Sequence, residues 1–135
     1  MNRVGALRAG RASITLAGRV ENISRAREFV TGALGADHPC ASVLALVVSE
    51  LVTNSIVHSS SGRDGGTVTV VLASSPSRVR VEVTDDGGPE LPGLRPVDFG
   101  AESGRGLQLV DALAAAWSWD RDPGGTMTTW AEVTA

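Results

Sequence analysis

The chain has 135 residues, the length of one ordinary domain, with 42% hydrophobic residues, 20% charged residues and a net charge of −3. An acidic balance without a basic stripe argues against nucleic-acid binding. The single cysteine, Cys40, excludes an intrachain disulfide and a cysteine cluster for zinc. The longest fully apolar runs, among them residues 43–48, are far shorter than the ~20 residues of a membrane span. With no recognisable signal peptide, the sequence predicts a cytoplasmic protein without a membrane segment.

The first half of the chain predicts one strand and two helices. Alternating polar and apolar residues indicate an edge strand over residues 13–16. Apolar residues at helical spacing predict a helix that runs from residue 20 and ends at Gly35, and a second helix over residues 40–58. A turn rich in Ser and Gly, residues 59–66, follows.

The second half predicts two hairpins around a third helix. Runs rich in Val and Thr predict a hairpin of residues 67–73 and 79–83. The third helix is expected over residues 106–116. A last hairpin, residues 116–120 and 126–133, turns at a Pro-Gly-Gly sequence.

Between the first hairpin and the third helix lies a segment, residues 87–103, in which seven of 17 residues are Gly or Pro. Such a stretch inside a small domain is usually a lid or a binding loop. The order of elements predicts a single α+β domain over residues 1–135, with its core at about 11–133. Its helices are expected on one face of a mixed, largely antiparallel sheet.

Three polar residues, Glu50, Asn54 and His58, follow one another at steps of four along the second predicted helix. That spacing places them on one stripe, which borders the apolar face of the helix. An amide oxygen is a ligand that Mg²⁺ accepts, and a neighbouring carboxylate can hold a water or accept a proton. The alternative is a helix whose polar edge carries these residues without any ligand.

An acidic pair and two glycines, residues 85–88, follow the strand over residues 79–83. A carboxylate at a strand end, such as Asp85, can accept a hydrogen bond from an exocyclic amine. Gly87 beside it allows the backbone to close on a flat ring. The alternative is an ordinary turn, because Asp-Gly is a common turn dipeptide.

Glycines open the third predicted helix in the run Ser103-Gly104-Arg105-Gly106-Leu107. Free N–H groups at a helix start, together with the helix dipole, suit an anion such as phosphate, and Arg105 adds positive charge. The alternative is the flexible end of a loop. The chain contains no Gly-x-x-x-x-Gly-Lys-Ser/Thr pattern, which excludes a P-loop.

The order and spacing of these motifs resemble the gyrase, chaperone and histidine-kinase ATPase superfamily with the Bergerat fold. More narrowly, they resemble the small anti-sigma factor serine kinases of bacteria. Residues 50–58 are similar to the N-box of that family, residues 85–87 to its adenine-binding box, and residues 104–110 to its glycine box. Residues 125–132 resemble its last strand. The resemblance covers nearly the whole chain and implies a two-layer α/β sandwich.

The resemblance also implies a role for each matched residue. Asn54 would ligate Mg²⁺, Glu50 would act as general base or hold a water, and His58 would approach a phosphate. Asp85 would accept the adenine amino group, and Gly87 would leave room for the ring.

At the phosphate end, the resemblance places the nucleotide phosphates against Gly104 and Gly106, with Arg105 and Leu107 in the same box. Thr128 would lie near the adenine end. Residues 88–103 would form the lid.

One departure from the family is Pro89, where a second glycine is common. A proline lacks an N–H and restricts φ at the start of the lid.

The function that the resemblance implies is that of an anti-sigma factor and ATP-dependent protein serine/threonine kinase, with ATP and Mg²⁺ as cofactors. Such a protein binds a sigma factor, phosphorylates a serine of a small antagonist protein and makes no direct contact with nucleic acid. Family members often dimerise, which leaves a homodimer open.

Two alternatives stay open. One is an ATP-binding regulator that sequesters a partner without phosphotransfer, and the other is a detached histidine-kinase ATPase domain. Histidine-kinase domains often lack the glutamate that Glu50 provides here, which argues against the second alternative. Glu50 also favours an active enzyme over a pure binder, whereas Pro89 points toward a regulator.

Overall fold

A computed structural model of the protein describes residues 10–88 and 102–135, and in the second range it describes side chains from residue 107 onward. The elements follow the predicted order. The strands are β1 (Gly10–Ala17), β2 (Thr67–Ser74), β3 (Arg78–Asp85), β4 (Ala116–Arg121) and β5 (Met127–Thr134). The helices are α1 (Ile23–Leu34), α2 (Ala41–His58) and α3 (Glu102–Leu113), with 3-10 turns at Val20–Asn22 and Ser60–Gly62.

The five strands form one sheet in the order β1-β2-β3-β5-β4, with β1 at an edge as predicted. Every neighbouring pair is antiparallel, so the sheet is not mixed among the described residues. The crossover from β3 through α3 brings β4 back parallel to β3. Because β5 then inserts between them, β3 and β4 do not pair with each other.

The core lies between the helices and one face of the sheet. Alternate residues of β2 and β3 point to the helices and are fully buried, among them Val70, Leu72 and Val81. Helix α2 covers them with a broad apolar surface that includes Leu44 and Leu51. By length and composition α2 would be apolar enough to cross a membrane, but half of it is buried inside the domain, the pattern of a core helix.

The third helix differs from its prediction at both ends. It begins at Glu102, four residues earlier than expected, so Gly104 lies inside the helix and not before it, and Gly106 is its fifth residue and not its first. A glycine costs about 1 kcal/mol in a helix relative to alanine, which is why the glycines suggested a later start. It ends at Leu113, because the next residues join the sheet: the N–H of Ala115 donates to the carbonyl of Glu132 at 2.8 Å.

Candidate functional site

Helix α2 presents Glu50, Asn54 and His58 on one stripe, and all three side chains are partly buried. The stripe borders the buried face because residues such as Leu51 and Ser55 stand next to it and point to the sheet. Successive members lie one helical turn apart, with about 5–6 Å between their Cβ atoms. The structure therefore places these three predicted residues together at the edge of the core.

The donor set on this stripe fits one kind of metal ion. Among the described residues, no group of three or more His, Cys, Asp and Glu side chains is arranged to hold a metal. Asn54 fits a Mg²⁺ ion that takes one or two protein oxygens and completes its shell with water and phosphate oxygens.

Asp85 is the last residue of β3, and its side chain points toward α2 with 7% of the residue exposed. The carboxylate accepts a hydrogen bond from the Ser55 side chain, and its Oδ1 accepts the N–H of Gly87 at 2.8 Å. Burial raises the pKa of the Asp85 carboxyl above its usual value, and the two hydrogen bonds oppose that rise. A weaker repulsion from Asp86 adds to the rise, and the Arg121 guanidinium opposes it. Asp85 is thus a buried acceptor held from two sides.

Gly87 follows with a φ of +77°, a conformation that favours glycine. A Cβ at this position would lie 1.9 Å from the carbonyl oxygen of Gly125, in the turn between β4 and β5. Glycine is therefore required here for a close backbone approach as well as for φ. The residue before this turn, Arg121 at the end of β4, contacts the following glycine: its Nη2 donates to the carbonyl of Gly88 at 3.0 Å.

Thr128 does not share a face with Asp85. It pairs with Thr84 across β3 and β5, on the sheet face away from the helices, and the two hydroxyl oxygens lie 2.7 Å apart. Thr129 points to the helices instead and is 3% exposed. The side-chain alternation of a strand accounts for this difference. The same alternation, applied to the last strand with Met127 on the buried face, points to Thr129, a residue that the family resemblance did not indicate.

The glycine box is described only in part. Gly104, Arg105 and Gly106 lie in the helical backbone of α3, and their surroundings fall outside the description. Leu107 is 3% exposed and belongs to the hydrophobic core, so its side chain packs inside the domain. Pro89 and most of the predicted lid, residues 89–101, lie outside the described residues.

Burial of the Asp85 carboxylate predicts a specific pH dependence of folding. Because the pKa of Asp85 is higher in the folded protein than the usual value of 3.8, the folded state takes up the proton first as pH falls. At neutral pH the buried charge of Asp85 lowers the free energy of unfolding. This loss is recovered as pH falls from the pKa of Asp85 in the folded protein to its pKa in the unfolded chain. Relative to Asp85→Asn, which cannot ionise, the nucleotide-free wild type should gain stability as pH is lowered through that window.

Urea unfolding of both proteins between neutral pH and pH 4 measures this difference, in which the titration of groups that do not interact with Asp85 cancels. A difference that stays constant, or that moves against the wild type as pH falls, would contradict the raised pKa.

Comparison with known proteins identifies the family of the chain. The sequence profile of the histidine kinase-like ATPase domain matches residues 16–131, which is most of the chain. A search of curated proteins found no match. The matched range contains α2 with Glu50 and Asn54, the end of β3 with Asp85, and all of α3. The chain therefore belongs to the histidine kinase-like ATPase domain family and is an ATP-binding domain of that class.

Proposed function

We propose that the protein is a cytoplasmic Mg-ATP-dependent protein serine kinase that acts as an anti-sigma factor. It would bind a sigma factor and transfer the γ-phosphoryl group to a serine of a small antagonist protein. The observation that carries the proposal is the position of Glu50 on the same helix that holds Asp85 through Ser55. Glu50 lies about 7.5 Å along the helix axis from Ser55, toward the helix start. The position that binds adenine and the position where phosphate is transferred would therefore lie along one rigid helix, α2.

Each residue then has a distinct task. The Asp85 carboxylate accepts a hydrogen bond from the adenine amino group, a strong interaction because the acceptor is charged. The Asn54 amide oxygen holds Mg²⁺, which neutralises charge on the phosphates when bound. Glu50 accepts the proton of the serine hydroxyl. As the proton leaves, the serine oxygen bonds to the γ-phosphorus, and the bond between that phosphorus and the ADP leaving group breaks.

Replacing Asn54 with alanine should weaken Mg-ATP binding much more than binding of metal-free ADP. The reason is that the amide oxygen ligates the metal and contributes little to contacts with the adenine ring. Isothermal calorimetry with Mg-ATP, and with ADP in the presence of a chelator, measures both affinities.

Thr53→Ala is the matched control for this variant. Its hydroxyl donates to the carbonyl of Ser49 inside the same helix, so its loss should leave both affinities nearly unchanged. Equal losses for the two ligands in Asn54→Ala would make Asn54 a structural residue of the helix edge.

Phosphotransfer itself separates the kinase from the regulator. The protein is mixed with γ-labelled ATP, Mg²⁺ and an antagonist-like protein encoded beside it. Label on a serine of that partner supports the kinase. Tight ATP binding without transfer to any such partner supports a regulator that sequesters its partner.

A further inference from the structure

Ser61 lies in the 3-10 turn that follows α2, and it is fully buried. Its hydroxyl donates to the carbonyl oxygen of Thr67, at the start of β2, with an oxygen–oxygen distance of 2.6 Å. The same oxygen accepts the N–H of Asp86 at 2.8 Å. One buried hydroxyl thus connects β2 to the residue that directly follows Asp85.

The main chain of Ser61 is itself enclosed by glycines. A Cβ at Gly18 would lie 1.8 Å from the Ser61 carbonyl oxygen, and one at Gly66 would lie 2.2 Å from it. The N–H of Gly18 donates to the carbonyl of Gly66 at 2.9 Å, so the two glycines beside Ser61 are also bonded to each other. Only residues without a Cβ permit this approach, so the Ser61 position is set by close-packed backbone. The Ser/Gly segment after α2 is therefore a rigid support and not a free turn.

The support holds the segment 85–88 at further points. The N–H of Ser60 donates to the carbonyl of Gly87 at 2.7 Å. The Asp86 carboxylate accepts the N–H of Thr67 at 3.0 Å. Together with the Ser61 hydroxyl, these bonds fix the two residues that follow Asp85 against the 3-10 turn and the start of β2.

We propose that Ser61 is a positioning residue for recognition of the adenine base. By holding the Asp86 amide, it sets the direction from which the Asp85 carboxylate faces the adenine amino group. Hydrogen-bond strength falls steeply with angle, so a small rotation of the segment would weaken that contact selectively. The inference rests on the proposed role of Asp85, and Ser61 itself does not touch the nucleotide.

The test compares ATP with purine riboside 5′-triphosphate, which lacks the 6-amino group. Wild type should prefer ATP by about tenfold or more, because the missing amine leaves a charged, buried acceptor without its partner. In Ser61→Ala this preference should fall several-fold, while affinity for the analogue changes little. A purely structural defect lowers the folded fraction and weakens both ligands by the same factor, which leaves the preference unchanged.

Two further variants make the result decisive. Ser74→Ala removes another buried serine, at the opposite end of β2, whose hydroxyl has no hydrogen-bond partner among the described residues; it should keep the wild-type preference. Ser61→Cys retains the volume of the side chain with a much weaker donor and acceptor, and it replaces Ser61→Ala if the latter does not fold.

An unchanged ATP preference in a folded Ser61 variant overturns the inference and leaves the role of Asp85 intact. A wild type that binds both triphosphates equally overturns the role of Asp85, and with it the inference.

Discussion

Replacing Glu50 with glutamine is expected to slow phosphotransfer by about 10²–10⁴-fold, the usual contribution of a general base. Glutamine keeps the shape and hydrogen bonding of the side chain but cannot accept the proton of the serine hydroxyl. Because Glu50 lies one turn before Asn54, away from the Asp85 end of the helix, ATP affinity and partner binding should remain near normal. Single-turnover transfer of labelled phosphate to the antagonist, beside a nucleotide titration of the same variant, measures the two effects separately.

Glu28→Gln is the control for removal of one negative charge, because Glu28 is exposed on α1. It should transfer phosphate at the wild-type rate. If Glu50→Gln does so as well, Glu50 holds a water or supports the helix, and the proposed mechanism is wrong.

Asp85→Asn is expected to lower ATP affinity about tenfold to hundredfold, since a hydrogen bond to a charged group contributes roughly 1.5–3 kcal/mol. Asparagine has nearly the same volume, but it can present an N–H donor where the adenine amine needs an acceptor. The fold should survive, because the substitution removes a buried charge and leaves the apolar core unchanged.

Calorimetry with ATP measures the loss, with Asp120→Asn as the matched control. Asp120 is exposed and stands opposite Thr128 in the register of β4 and β5, on the sheet face away from Asp85. Asp120→Asn should therefore bind ATP as wild type does. Unchanged affinity in Asp85→Asn would make Asp85 a turn residue.

The helices show how far local patterns reach. The apolar spacing along α2 located the helix within one residue at its start and placed Glu50, Asn54 and His58 on one stripe. Gly35 ends α1 with a φ of +93°, a conformation that glycine adopts readily. These predictions succeeded because helix contacts join residues three or four apart, so the sequence pattern contains them directly.

The pairing of strands that are distant in the sequence lies beyond such patterns. Both hairpins were predicted, but the insertion of β5 between β3 and β4, which makes every pair antiparallel, depends on contacts between distant residues. The same limit explains Thr128 and Thr129. Strand alternation separates the two adjacent threonines onto opposite faces of β5, but the packing of the sheet against the helices shows that Thr129 is the one buried on the Asp85 side.

For the candidate site too, some features follow from the sequence and others only from the tertiary structure. The residue types at Glu50, Asn54 and Asp85 and their order along the chain were determined by the sequence, because each motif is contiguous and the chemistry belongs to its side chains. Tertiary structure alone decided that Asp85 is buried with a raised pKa. It also decided that a serine from the turn after α2 supports its neighbour, Asp86. Burial and support arise where β2, β3 and α2 meet, and these elements come together only when the whole core packs.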